Sequence, residues 1–198
     1  APFIFSRKKI VMQQVPKLIF GDSKHSTVDQ AQKMGLGEEW VYGDPMAQEL
    51  NAIVSPANTV GEMSGGYDLV IRNRLGRQVE QNAMASLANS PMYLGQARVV
   101  ATQANIPWLI IVPTVVGRLA GQGGNTEVGS LQSKTPGVEV VERGTYSLMH
   151  TAFEAGIERV GTVLLGGGVG GLAAEQALRA MLSGYLRAYD EIDALIFS

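Results

Sequence analysis

The chain has 198 residues, 24 of them glycine and none cysteine, and its 16 Lys+Arg nearly balance 18 Asp+Glu. The balance removes the net positive field that usually holds a nucleic-acid binder. The lack of cysteine removes disulfides, a thiolate nucleophile and Cys-based zinc sites. A hydrophobic content of 45% is too high for a disordered tail, and the glycines have no every-third-residue period of a collagen. No apolar run reaches the length of a membrane span. The N-terminus lacks the basic-then-apolar order of a secretory leader, so the default expectation is a soluble cytoplasmic protein, or a nuclear one in a eukaryote.

One domain over 1–198 is the simplest reading of the length. In chain order, short apolar runs end in turn residues, as strands do. Lys17-Leu18-Ile19-Phe20 stops at Gly21-Asp22, Glu39-Trp40-Val41-Tyr42 at Gly43-Asp44-Pro45, and Ala52-Ile53-Val54 at Ser55-Pro56. Ala97–Ala101, Trp108–Val112, Val160–Leu165 and Ala194–Phe197 complete the set. Several are continuously apolar, which suits strands covered on both faces. Helical spacing marks Ala173–Tyr189 through Ala174, Ala177, Leu178, Met181, Leu182 and Tyr185, and Thr145–Ile157 through Leu148, Ala152 and Ala155. Gly76–Leu87 and Thr27–Met34 carry shorter helical patterns. The alternation predicts a three-layer α/β/α domain around a central sheet. Residues 117–144, rich in Gly, Ser, Thr and Gln, read as a long loop excursion, either a plain surface loop or a lid over a site.

Two glycine-rich turns follow predicted strands and open helices. The first is Gly61-Glu62-Met63-Ser64-Gly65-Gly66-Tyr67-Asp68; the second is Gly166-Gly167-Gly168-Val169-Gly170-Gly171. Without Cβ atoms the backbone can approach a ligand, and consecutive N–H groups above a helix N-terminus can converge on anionic oxygens. Phosphate held this way needs no lysine, which suits a chain without basic excess. The second turn also spells GxGxxG, but the 27 residues after Gly171 leave too little chain for a nicotinamide-binding fold. The ordinary alternative is that these glycines serve tight turns only.

The stretch Gly43-Asp44-Pro45, Asn51-Ala52-Ile53-Val54-Ser55-Pro56-Ala57-Asn58 and Met63-Ser64-Gly65-Gly66-Tyr67-Asp68 resembles the macrodomain family, which binds ADP-ribose. The family pattern runs GDI, then DAIVNAAN, then GGGVD. Asp44 lies 14 residues before Asn58, and Asp68 ten after it, as in the hydrolytic members. The second glycine turn looks like the family's other phosphate loop, and Ala194–Phe197 looks like its closing strand. The resemblance covers Tyr42 to the C-terminus. Residues 1–40 read as an N-terminal extension with an added strand and helix.

The resemblance implies a macrodomain-like fold with a mixed sheet, and a role for each matched residue. Asp44 would accept from the adenine amino group, and Asn58 would hold the distal ribose hydroxyls. Gly65, Gly66 and Tyr67 would line the distal ribose and diphosphate. Gly166, Gly167, Gly168, Val169, Gly170 and Gly171 would wrap the diphosphate, and Phe197 would neighbour the adenine. Ser55 stands at the family's first asparagine among the ligand-binding positions, Pro45 replaces its isoleucine, and Gly170 replaces an aromatic. The unaided reading of Asp44 is a turn residue before proline, and of Asn58 an Asx-turn or helix cap.

The implied reaction is hydrolysis at the anomeric carbon of the distal ribose, with Asn58 and Asp68 as the catalytic pair. Either Asp68 or the ligand's own phosphate would orient the water. The alternative is a reader that binds ADP-ribose or a related nucleotide signal without turnover. The implied partner is ADP-ribose or an ADP-ribosylated protein, with no nucleic acid, membrane, metal or cofactor, and the oligomeric state stays open.

Overall fold

The computed structural model describes residues 13–117, 137–167 and 171–198. Six strands form one sheet: β1 Lys17–Asp22, β2 Glu39–Tyr42, β3 Ala52–Ser55, β4 Arg98–Ala101, β5 Trp108–Ile111 and β6 Arg159–Thr162. Their order is β2-β1-β6-β3-β5-β4, with β4 antiparallel to β5 and every other neighbouring pair parallel. The described helices are α1 His25–Met34, α2 Gly66–Leu75, α3 Arg77–Asn89, α4 Gly137–Glu154 and α5 Ala174–Ile196, with a 3₁₀ turn at Pro45–Ala47.

The alternating sides of each strand divide the core into two layers. Leu18 and Phe20 of β1, Ala52 and Val54 of β3, and Ile110 of β5 face α1, α4 and α5. Ile19, Ile53, Leu109 and Ile111 face α2, α3 and the 3₁₀ turn. Both faces are covered, which explains the unbroken apolar strand sequences and makes the architecture a three-layer α/β/α fold with a mixed sheet.

Two sequence expectations are corrected. Ala194–Phe197 is not a closing strand: α5 continues to Ile196, its buried stripe running Tyr185, Ala188, Ile192. A four-residue apolar run is ambiguous between helix and strand, and here the helical period carries it. The sheet position beside β6, on the side away from β3, belongs instead to β1. Lys17 lies opposite Arg159 and Phe20 opposite Thr162. The predicted strand and helix before residue 40 therefore exist, but β1 is built into the sheet rather than appended to it.

The second correction concerns the 117–144 excursion. Residues 118–136 lie outside the described part, but Gly137–Gly144 form the opening turns of α4. The buried stripe Val140, Val141, Gly144, Thr145, Leu148, Met149, Ala152 begins earlier than its glycines suggest. Gly144 is small because a Cβ there would stand 2.8 Å from Val112 Cγ1.

The far edge of the sheet, at the amino ends of the strands, is closed by polar contacts. Arg159 donates from Nη1 and Nη2 to the Glu39 carboxylate at 2.7 and 2.8 Å, and from Nε to the Glu49 carbonyl at 2.7 Å. The two-toothed pairing ties the edge strand β2 to β6 across β1.

The tightest approach in the helix layer is between α4 and α5. A Cβ on Gly184 would lie 2.1 Å from the Glu142 carbonyl oxygen and 2.9 Å from Tyr146 N. These obstacles are backbone, so the helices themselves would have to separate. Gly184→Ala is expected to destabilise the fold by about 3 kcal/mol despite alanine's better helix propensity. Chemical denaturation checks this, and an unchanged midpoint would show that the crossing has slack.

Candidate functional site

The parallel strands β1, β2, β3, β5 and β6 end at the same edge of the sheet. The loops after them enclose a cleft, where open α/β sheets present their ligand sites. It has two chambers. The larger, about 560 Å³, is lined among others by Asp22, Ser23, Lys24, Asp44, Gly167 and Ala174. The smaller, about 260 Å³, is lined by residues that include Asn58, Glu62, Gly65, Gly66, Asp68 and Gly166. Tyr67, Val163 and Leu164 line both.

Asp44 ends the turn after β2 and caps the 3₁₀ turn, its Oδ1 accepting from Met46 N at 2.8 Å. The same oxygen accepts from the Tyr67 hydroxyl at 2.7 Å, and Oδ2 has Arg74 Nη1 at 3.8 Å. The turn-residue reading and the cleft position are therefore both true of Asp44.

Asn58 follows β3, where the chain runs beside Val115 of the loop after β5. Its Oδ1 accepts from Val60 N (3.1 Å), Gly61 N (2.8 Å) and Glu62 N (3.3 Å), and its Nδ2 donates to Glu62 O at 3.1 Å. The amide binds its own loop, as the Asx-turn reading expects, and Asn58 also lines the smaller chamber. Its effect on the smaller chamber is to hold the loop that walls it.

Gly65 and Gly66 open α2, which has no side-chain cap. Gly66 has φ +56°, which favours glycine, and a Cβ on either residue would meet nothing within 4 Å. No part of the described protein demands a small residue at Gly65. Uncapped N–H groups at a helix start, facing a cavity over bare glycine, form an anion-binding arrangement. The second loop closes on itself through Leu172 N donating to Gly166 O at 3.2 Å. Gly166 (φ +78°) packs so tightly that a Cβ would be 2.6 Å from Val141 Cγ2. Gly167 lines the larger chamber, and Gly171 takes φ +70°. Gly168, Val169 and Gly170 lie outside the described residues.

Asp68 sits in the first turn of α2 and is only 6% exposed. Ser55, at the end of β3, donates its hydroxyl to Asp68 Oδ1 at 2.6 Å. Burial pushes the carboxyl up to about 6, the Ser55 hydrogen bond pulls against that, and the negative charge of Glu80 adds to it. Ser55 is itself buried, and it meets the site through Asp68.

Phe197 is 82% exposed, just past the end of α5. Ala174, the first residue of that helix, lines the larger chamber, and 23 helical residues at ~1.5 Å each put Phe197 roughly 35 Å along the axis from it. It is no neighbour of the cleft, and its expected place is taken by Asp22, Ser23, Lys24 and Thr27, which follow β1. Sequence reasoning missed these four. The available signal was the repeated strand–Gly–Asp ending, Phe20-Gly21-Asp22 and Tyr42-Gly43-Asp44, on strands that turn out to be paired neighbours. No group of three or more His, Cys, Asp or Glu able to hold a metal occurs among the described residues, and no described helix is long and apolar enough to cross a membrane.

Comparison with known proteins places this cleft in a family. The model of the Macro domain matches residues 54–181, and the chain belongs to the macrodomain family. It is 28% identical over 153 residues, 73% of this chain and 69% of the other, to an uncharacterized protein of Aeropyrum pernix. Among solved structures, the macrodomain of Mycobacterium tuberculosis DarG matches with a TM-score of 0.56 at 21% identity, over 75% of this chain and 89% of that one. The Trypanosoma brucei macrodomain in complex with ADP-ribose matches with 0.56 at 19%, over 75% and 56%. Thermosipho africanus DarTG in complex with ADP-ribose matches with 0.57 at 18%, over 75% and 38%. At these identities the likeness is one of fold.

Two tests follow from the buried polar groups. The folded Asp68 pKa, about 6, lies above its ordinary 3.8, so the folded state binds the extra proton between those values. Stability contributed this way is present below pH 3.8 and lost as pH rises through 6. Asp68→Asn, which carries no charge, should gain on the order of 1–3 kcal/mol relative to the native protein at pH 8. The gain should vanish by pH 4, and denaturation curves at the two pH values check it. Asn58→Ala strips three loop N–H groups of their acceptor and should cost about 1–3 kcal/mol, again read by denaturation.

Proposed function

We propose that the cleft binds an ADP-ribosyl group and that the protein hydrolyses its bond at the anomeric carbon of the distal ribose. One observation carries this reading: a single two-chambered cleft has Asp44 at one end, buried Asp68 at the other, and glycine-opened loops along it. Two proteins of the same fold, from Trypanosoma brucei and Thermosipho africanus, are in complex with ADP-ribose. In this reading the adenosine occupies the larger chamber, with its amino group toward Asp44. The diphosphate meets the N–H groups at the start of α2 and around Gly166 to Gly171. The distal ribose enters the smaller chamber beside the Asn58 loop.

The chemistry assigned to Asp68 follows from its environment. A carboxylate with a pKa near 6 is largely ionised at neutral pH yet basic enough to take a proton. Water adds its oxygen to the anomeric carbon and gives its proton to Asp68, while the bond to an acidic side chain of the modified protein breaks and that carboxylate leaves as an anion. Ser55 fixes the orientation of Asp68, and Gly65 leaves room for ribose and phosphate close to the backbone. A second reading, an ADP-ribose reader without turnover, is favoured by what the catalytic candidates already hold: Ser55 donates to Asp68 Oδ1, and the Asn58 amide is bonded to its own loop.

Incubation with a mono-ADP-ribosylated acceptor protein separates the two. Hydrolysis predicts release of ADP-ribose, lost in Asp68→Ala by about a hundredfold or more. The release rate should rise as pH passes upward through about 6, where Asp68 gives up its proton. Tight binding without release, unchanged in Asp68→Ala, would establish the reader. Absence of ADP-ribose binding in calorimetry overturns both.

A further inference from the structure

The contact between Tyr67 and Asp44 joins residues 23 apart in sequence, the half-buried phenol donating to Asp44 Oδ1 at 2.7 Å. We propose that Tyr67 is a specificity-determining positioning residue: its hydroxyl fixes the Asp44 carboxylate so that the larger chamber accepts a nucleobase presenting an amino donor and rejects one presenting a carbonyl at the same place. This rests on the reading of the cleft as a nucleotide site.

A carboxylate can only accept, which makes it a discriminating group when its direction is fixed. Asp44 Oδ1 already takes two donors, Met46 N–H and the Tyr67 hydroxyl. A ligand donor therefore meets Oδ2, which has Arg74 Nη1 at 3.8 Å. Without the phenol, the carboxylate is located by one backbone N–H and by an arginine whose side chain is 45% exposed, and it can turn about its own bond. Burial first, and the neighbouring Asp44 second, push the Tyr67 phenol far above its ordinary range and keep it a donor.

The backbone makes Tyr67 a firm anchor. It lies in the first turn of α2 and packs against the core layer that holds Ile53, Met63 and Ile71. The adjacent residue, Asp68, reaches Ser55 instead. One helical turn thus carries both ends of the site, with Tyr67 serving the base chamber and Asp68 the ribose chamber.

The experiment measures binding of ADP-ribose and of inosine diphosphate ribose, which differs by a carbonyl in place of the adenine amino group. Calorimetry is run on the native chain, Tyr67→Phe, Asp44→Asn and the double variant. The native chain should prefer ADP-ribose by at least about tenfold, and Tyr67→Phe should erase most of that ratio through the adenine arm. In the Asp44→Asn background, removal of the hydroxyl should change the ratio no further, since the two act as one unit. A native preference that survives Tyr67→Phe overturns the inference and leaves the nucleotide reading intact. Equal native affinity for the two ligands also overturns the inference, because Asp44 then does not read the base. Failure of the native chain to bind either ligand overturns the nucleotide reading itself.

Discussion

Parallel pairing of five neighbouring strands, β2-β1-β6-β3-β5, is the constraint on which the rest of the molecule depends. Parallel strands deliver all their carboxyl ends to one edge, and each must then connect through a loop and, usually, a helix. The loops after β1, β2, β3 and β6 supply Asp22 to Lys24, Asp44, the Asn58 turn with Gly65 and Gly66, and the Gly166 loop. Most of the described residues of the cleft follow a strand end or open the helix after it. The position of β1 between β2 and β6 matters most, because it makes a segment outside the matched stretch 54–181 part of the larger chamber's wall.

The two edges of the sheet are treated in opposite ways. At the amino edge, Arg159 spends its guanidinium on the Glu39 carboxylate and the Glu49 carbonyl, an arrangement with every strong partner in place. At the carboxyl edge a carboxyl is buried against its preference for water. A raised carboxyl pKa costs stability, and such costs gather where a protein handles ligands.

Most strands were readable because their apolar runs stop at or next to Gly, Pro or Asp, and the two glycine turns because a strand-to-helix turn needs residues without Cβ. The helix periods of α1, α3 and α5 were readable for the usual reason that a buried stripe repeats every 3.6 residues. What stayed hidden was spatial. Strand order is not written in a local pattern, so β1 looked like an addition to the fold when it is one of its inner strands. The contacts Tyr67–Asp44 and Ser55–Asp68 depend on which way α2 lies over the sheet, and spacing alone does not state that. Val138 to Arg143 were hidden between Gly137 and Gly144, and Leu195 and Ile196 read as a strand because four residues cannot show a helical period.

The place of β1 also bears on how the protein comes to be folded. Lys17 pairs with Arg159, a closure spanning about 140 residues, between strands that both contribute walls to the cleft. Such non-local pairing must be reached against the entropy of the intervening chain and is characteristically slow. Until it forms, Asp22 and Lys24 are absent from the larger chamber and Gly21 cannot close against Gly43. The wall that Asp22 and Lys24 give the larger chamber therefore depends on a pairing between the first and last strands of the described chain.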